Sequence, residues 1–118
     1  MRRVMIVEDE FLIRLTLAEA LADEGFEPIE AATGDEAFAK LQTAPMDLIL
    51  TDINMPGTLN GWSLADAARA RQPSIPIVFM SGFAQPPPGR TPSPHDAFMA
   101  KPYLPSDLIA LVQRLLGD

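Results

Sequence analysis

Four short apolar runs in this 118-residue chain each end on a side chain capable of ionic or nucleophilic chemistry. Glu8, Asp9 and Glu10 follow Val4-Met5-Ile6-Val7, and Asp52 follows Leu48-Ile49-Leu50-Thr51. Ser81 follows Ile77-Val78-Phe79-Met80, and Lys101 follows Ala97-Phe98-Met99-Ala100. Carboxylates brought together repel one another unless a cation neutralises them. Magnesium suits such a set, because it binds oxygen ligands, commonly one or two carboxylates with waters and a phosphoryl oxygen. An ammonium group opposite can hold phosphoryl oxygens as a point charge, and a serine hydroxyl adds one hydrogen bond. These are the parts of a phosphoryl-transfer site, where positioning and charge neutralisation do most of the catalysis. Asp52 is the expected acceptor, since an aspartate carboxylate can form an acyl-phosphate.

Taken singly, each of these residues has an ordinary structural role. Glu8, Asp9 and Glu10 would favour the positive end of a following helix, and Asp52 could open a turn before Pro56-Gly57. Ser81-Gly82 is a common loop opening, and Lys101-Pro102 a common strand end. Their conjunction at four separate strand ends is what carries the chemical reading.

The side chains meet only if the chain supplies a parallel sheet. Apolar runs at residues 4–7, 47–50, 75–80 and 97–100, with a weaker one at 27–31, suit strands buried on both faces. Segments 11–23, 35–43, 63–71 and 106–116 read as helices. In the last, Leu108, Leu111, Val112, Leu115 and Leu116 form an i, i+3, i+4 stripe, with Ser106 as the expected N-cap and Gly117 as the stop. Gly25 ends the first helix, and Gly34 stands just ahead of the second. Between Phe83 and Ala97 lie five of the 12 prolines, at 86, 87, 88, 92 and 94. Each interior proline costs a helix about 3 kcal/mol, so no regular helix is expected there. The result is a three-layer α/β domain with strands and helices alternating until the fourth strand, which a loop joins to the fifth. Function in such a sheet collects beyond the carboxyl ends of its strands.

Composition narrows the classes further. With 9 basic and 16 acidic residues the net charge is −7, which argues against a nucleic-acid partner. The absence of cysteine excludes disulfides, thiolate metal sites and thiol nucleophiles. No apolar run approaches the ~18 residues of a membrane span, and residues 4–7 are too short for a signal-peptide core. The expectation is one soluble, cytoplasmic domain over residues 1–118.

Val4-Met5-Ile6-Val7-Glu8-Asp9-Glu10, Asp52-Ile53-Asn54-Met55-Pro56-Gly57 and Phe98-Met99-Ala100-Lys101-Pro102 resemble the response-regulator receiver domain of two-component signalling. The resemblance covers essentially the whole chain. It implies a flavodoxin-like doubly wound fold with strand order 2-1-3-4-5. It also implies that Asp52 takes a phosphoryl group from a sensor histidine kinase or phosphotransfer protein. Glu8, Asp9, Asp52 and the main-chain carbonyl of Asn54 would bind Mg2+, directly or through water. Ser81 and Lys101 would contact the phosphoryl oxygens, and the Lys101-Pro102 peptide would be cis. Ser81 and Phe98 match the hydroxyl and aromatic positions through which receivers switch.

Two departures stand out. Gly61 lies nine residues after Asp52, one more than the usual receiver spacing, so the loop beside the site is expected to take a different path. The proline-rich stretch occupies the slot of a receiver's fourth helix, part of the usual output face. Residues 86–94 are therefore expected to be mobile or irregular in the unphosphorylated protein, with switching by ordering or releasing a loop. Met80-Ser81-Gly82-Phe83 and Lys101-Pro102-Tyr103 resemble an alphaproteobacterial-type single-domain variant of the family. Phe83, two residues after Ser81, stands where receivers tune loss of the phosphoryl group, either as a screen against water or as simple loop packing.

Partner contacts are expected at the first helix. A stripe of Ile13, Leu17, Ala20 and Leu21 can face the sheet, which leaves Phe11, Leu12 and Leu15 for docking a kinase's helical hairpin or for extra core contacts. His95 is expected at the surface, and Arg2, Arg3, Arg69, Arg71 and Arg90 form no basic stripe. The chain ends soon after the last helix, and no output domain is expected in it. Two other functions fit parts of the pattern. A metal-dependent phosphohydrolase would use Asp52 as nucleophile, but haloacid-dehalogenase-type enzymes carry a second aspartate where this chain has Asn54. A phosphorylation-independent receiver-like module would have no need of Glu8, Asp9, Asp52, Ser81 and Lys101 together.

Overall fold

A computed structural model describes residues 1–81 and 86–117, with the side chain of Ser81 outside that description. The elements run β1 (Arg3–Val7), α1 (Phe11–Asp23), β2 (Glu27–Ala31), α2 (Gly34–Leu41), β3 (Leu48–Asp52), α3 (Gly61–Arg71), β4 (Ile77–Ser81), β5 (Asp96–Ala100) and α4 (Pro105–Leu116). The five strands are parallel in the order β2-β1-β3-β4-β5, as expected.

Alternation along the strands explains the three layers. Met5, Val7, Ile49, Ile77 and Phe79 pack with α2 and α3 through Ala37, Leu41, Trp62, Leu64, Ala65 and Ala68. Val4, Ile6, Leu48, Leu50, Val78 and Met80 point the other way, onto α1 and α4 through Leu17, Leu21, Leu108, Leu111 and Val112. The central strands are buried on both faces, which is why their sequences are continuous apolar runs rather than alternating ones.

Element ends differ from the sequence expectations for local reasons. Strand β4 begins at Ile77 rather than residue 75, because Pro76 has no N–H to give a ladder. Strand β3 begins after Asp47, whose side chain accepts from the Arg3 amide at 2.7 Å. Helix α3 starts at Gly61, two residues early, because Asn60 and Ser63 form a capping box. Ser106 is not the N-cap of α4. Leu104 holds that place without a side-chain bond, and Pro105 opens the helix, where its missing N–H costs nothing.

No helix occurs among described residues 86–95. Arg90 donates its amide to the Pro87 carbonyl at 3.1 Å around a turn in which Gly89 has φ 82°. The irregular segment is anchored nonetheless. The Arg90 guanidinium lies 4.8 Å from the Trp62 ring centre and 5.3 Å from that of Phe79. It also pairs with Asp96 at 3.1 Å, while Arg69 pairs with the other carboxylate oxygen of Asp96. The Ser93 amide donates to Asp96 at 3.1 Å as well. An arginine clamp thus covers aromatic surface beside β4 and β5.

Candidate functional site

The reversal of strand order between β1 and β3 opens a crevice at the carboxyl ends of these strands, and the acidic residues sit there. Glu8 follows β1 and is 1% exposed, its amide donating to the Ala31 carbonyl at 3.1 Å. Arg14 fixes the turn into α1 by donating to the Glu8 carbonyl at 2.8 Å while pairing with Glu30 at 3.1 Å. Asp52 ends β3. Its Oδ1 accepts from the Ile53 amide at 2.8 Å, and its Oδ2 accepts from Lys101 Nζ at 3.1 Å. Lys101 follows β5 directly, and the Lys101-Pro102 peptide is cis. Glu8, Asp9 and Asp52 each present a carboxylate oxygen within 4.8 Å of the others.

Gly61 is part of this construction. A Cβ there would stand 2.5 Å from the Asp52 carbonyl oxygen and 2.8 Å from the Ile53 Cα. Only glycine lets the start of α3 approach the end of β3 so closely. The Gly61 amide donates to the Ile53 carbonyl at 2.8 Å across that contact.

The electrostatics are those of a carboxylate pocket held by one cation. Burial raises the Glu8 pKa from 4.5 to about 7, and the charges of Asp52 and Asp9 add to that; the Glu10 amide and Lys101 oppose it. Glu8 Oε1 accepts from the Glu10 amide at 3.2 Å, but the buried Oε2 has no hydrogen-bond partner among the described residues. Lys101 Nζ lies 3.8 Å from that oxygen, beyond hydrogen-bonding range. For Lys101, burial works against the charge, yet the hydrogen bond and charge of Asp52 and the charge of Glu8 outweigh it and raise the pKa. A buried carboxylate oxygen without a donor, among three clustered carboxylates, fits a hard divalent cation.

The family profile of the response regulator receiver domain matches residues 4–113. The chain is a response-regulator receiver domain. The receiver is 33% identical over 121 residues to the response regulator receiver protein CpdR of Brucella abortus, with 98% of each chain covered. It superposes with a TM-score of 0.88 and 30% identity on a response regulator receiver protein from Sinorhizobium medicae, covering 98% of this chain and 94% of that one. The receiver domain of the hybrid histidine kinase CckA gives a TM-score of 0.83 at 31% identity, covering 97% and 98%. The function class is therefore that of a phosphoacceptor in two-component signalling. No described helix is long and apolar enough to cross a membrane.

The receiver brings Glu8, Asp9, Asp52 and Lys101 together. Asn54 lies two residues past Asp52, exposed in the loop before α3. Ser81 closes β4 opposite Ala100, at the same end of the sheet. Gly82 and Phe83, with the side chain of Ser81, lie outside the described residues. Phe98 is 61% exposed, so it is not a core strand residue; its ring centre lies 5.4 Å from Phe79 and 6.2 Å from Trp62. On α1, Phe11 and Leu12 are 59% and 73% exposed, whereas Leu15 is half-buried. A groove of about 580 Å³ beside Lys101 and Pro102 is lined by Leu12, Ile13, Thr16, Leu17, Tyr103 and Pro105. Leu15 does not line it; Ile13 and Leu17, assigned to the sheet-facing stripe, do. His95 is exposed, as expected.

Sequence reasoning missed the Arg69–Asp96–Arg90 clamp and the Asp35–Thr58 contact described below. The partners lie 27 residues apart for Arg69 and Asp96, and 23 for Asp35 and Thr58. No helical or strand period links such positions. An arginine in a proline-rich loop is an ordinary surface residue, so the sequence carried no signal for either contact.

Proposed function

We propose that Asp52 is the phosphoacceptor of this receiver and that Mg2+ occupies the pocket of Glu8, Asp9 and Asp52, with the Asn54 carbonyl completing the protein ligands. The observation that carries this reading is the convergence of three carboxylates within 4.8 Å, one with a buried oxygen that has no partner among the described residues, around an Asp52 that Lys101 already touches. When bound, the cation would neutralise the carboxylates and take a phosphoryl oxygen. The residues of the chain do the rest. The Ile53 amide and Lys101 orient the Asp52 carboxylate. A carboxylate oxygen of Asp52 attacks the phosphorus of a phosphohistidine donor, forming the P–O bond as the P–N bond breaks and its electron pair returns to the imidazole. Lys101 then neutralises the transferred phosphoryl oxygens, and the Ser81 hydroxyl donates to one of them. Attack of water on phosphorus releases inorganic phosphate and restores Asp52, so the receiver catalyses both its own phosphorylation and its reset.

The donor is a sensor histidine kinase or a phosphotransfer protein in the cytoplasm. Its helices dock at exposed Phe11 and Leu12 and along the groove between α1 and the segment after Lys101. Output passes through the face built by β4, the anchored proline-rich segment and β5, where Ser81 and Phe98 report the phosphoryl group. Incubation with Mg2+ and a small phosphodonor tests the reading by intact mass. The wild type gains one phosphoryl group and Asp52→Ala gains none. No gain by the wild type would favour a phosphorylation-independent module, and steady turnover of phosphomonoesters would favour a hydrolase.

A further inference from the structure

The loop of residues 53–60 between β3 and α3 begins directly after Asp52, contains Asn54, has no regular structure, and puts Gly61 nine residues after Asp52. Its last residue is fixed by the Asn60–Ser63 capping box, and its first by the Ile53–Gly61 bond. Its middle is held differently. Asp35, in the first turn of α2, accepts from the Thr58 amide at 3.1 Å through Oδ2 and from the Thr58 hydroxyl through Oδ1. Among the described residues, these are the hydrogen bonds that tie residues 55–59 to another element.

Two glycines show how close the contact is. Gly57 has φ 102°, and a Cβ on it would stand 2.6 Å from Asp35 Oδ2. A Cβ on Gly34 would stand 2.5 Å from the Leu59 carbonyl oxygen and 2.9 Å from the Leu59 Cβ. The start of α2 and residues 57–59 of the loop therefore fit together with no room for side chains at either glycine. Asp35 is not needed as the cap of its own helix, because Thr33 accepts from the Glu36 amide at 3.0 Å. Both Thr58 bonds hold the Asp35 carboxyl below its ordinary pKa, so the acceptor is ionised at neutral pH. Asp35 is also not one of the three clustered carboxylates. It holds instead Thr58, in the same loop as Asn54.

We propose that Asp35 is a positioning residue for the cation pocket, holding Thr58 and Gly57 so that the lengthened loop presents the Asn54 carbonyl to the ion. The inference rests on the assignment of Mg2+ to the pocket. Groups that orient metal ligands without touching the metal change its affinity by about 10- to 100-fold when removed. The exposed setting of Asp35 puts the expected effect at the low end. A carbonyl that binds ion before and during the reaction contributes uniform binding, so the loss falls on affinity more than on the saturated rate.

Mg2+ binding to the whole chain, measured by titration calorimetry, is the primary readout. Asp35→Ala should weaken it by about 10-fold, while the phosphorylation rate at saturating Mg2+ stays close to wild type. Asp35→Asn keeps an acceptor oxygen but loses the charge, and should recover most of the affinity. Thr58→Val keeps the charge of Asp35 but loses the hydroxyl bond, and should weaken binding. That pairing separates loop positioning from a loss of negative potential, under which Asp35→Asn would match Asp35→Ala and Thr58→Val would match wild type. Thermal melts without Mg2+ establish that each variant folds, and Thr58→Val decides the matter if Asp35→Ala does not. Wild-type Mg2+ affinity in Asp35→Ala and Thr58→Val overturns the positioning role and leaves the pocket intact. Failure of the wild type to bind Mg2+ overturns both.

Discussion

Removing Asp96 should destabilise the receiver far more than removing either arginine that it binds. The Asp96 side chain is 4% exposed, and those of Arg69 and Arg90 are 13% and 8%. Asp96→Ala leaves the Arg69 guanidinium without its carboxylate and Arg90 with only the exposed Asp66 at 3.7 Å, and breaking a buried pair from one side costs about 3–5 kcal/mol. Arg90→Ala leaves Asp96 paired with Arg69. Its loss is the cation–π contact with Trp62 and Phe79 and one charge-assisted bond, about 1–3 kcal/mol. Because all three groups form one network, the double variant should cost less than the sum of the two single changes. Equilibrium urea unfolding of the two single variants and the double variant measures each quantity. The acid limb supplies an independent check. Burial works to raise the Asp96 pKa, but the hydrogen bonds of Arg69, Arg90 and the Ser93 amide outweigh it, so the folded value lies below 3.8. The stabilisation is therefore fully present above that unfolded value and disappears as pH falls through the folded one. Asp96→Ala should flatten that limb. A loss below about 1 kcal/mol for Asp96→Ala, or equal losses for Asp96→Ala and Arg90→Ala, would refute the clamp as the anchor of the proline-rich segment.

Magnesium binding should depend on pH through Glu8, whose proton must leave before the carboxylate can serve the ion. With the folded pKa at about 7, apparent affinity should be level above that pH and fall toward tenfold per unit below it; calorimetry across that range measures the slope, which Glu8→Gln should remove. In the metal-free protein the same proton is held by the folded chain and not the unfolded one between pH 4.5 and about 7, so melts should show stability declining as pH rises through that window. Leu12→Asp, placed on the most exposed large apolar residue of α1, should slow phosphoryl transfer from a kinase by about tenfold or more, the cost of one lost interface anchor. Phosphorylation of the same variant by a small phosphodonor should be unchanged, and equal slowing of both reactions would remove α1 from the docking surface.

The parallel sheet and its acidic crevice were legible because they depend on local patterns, whereas the strand order followed from the resemblance to receivers. Double-sided burial makes β1, β3 and β4 continuous apolar runs, and the reactive residues stand immediately after them, so strand position alone predicts their convergence. The conjunction of Glu8, Asp9, Asp52 and Lys101 needed nothing more. The unusual face was only half legible. Five prolines exclude a helix, but they do not say that Arg90 returns to lie on Trp62, 28 positions earlier in the chain. Nor does the extra residue before Gly61 reveal that Thr58 is held by Asp35. The groove beside α1 was not legible for a related reason: a helical stripe says which residues share a face, while the groove is made by the approach of a segment beyond Pro102. Boundaries shifted wherever a single side chain ended an element, as Pro76, Asp47 and Asn60 do.

The phosphoryl group of the activated receiver is expected on Asp52. Borohydride reduction converts an acyl-phosphate of aspartate to homoserine, and peptide mapping then locates it in the sequence. After exposure to Mg2+ and a small phosphodonor, homoserine should appear at position 52 and be absent when Mg2+ is chelated. Homoserine at position 9 instead, or a phosphoryl group that survives without any reducible acyl linkage, would contradict the account.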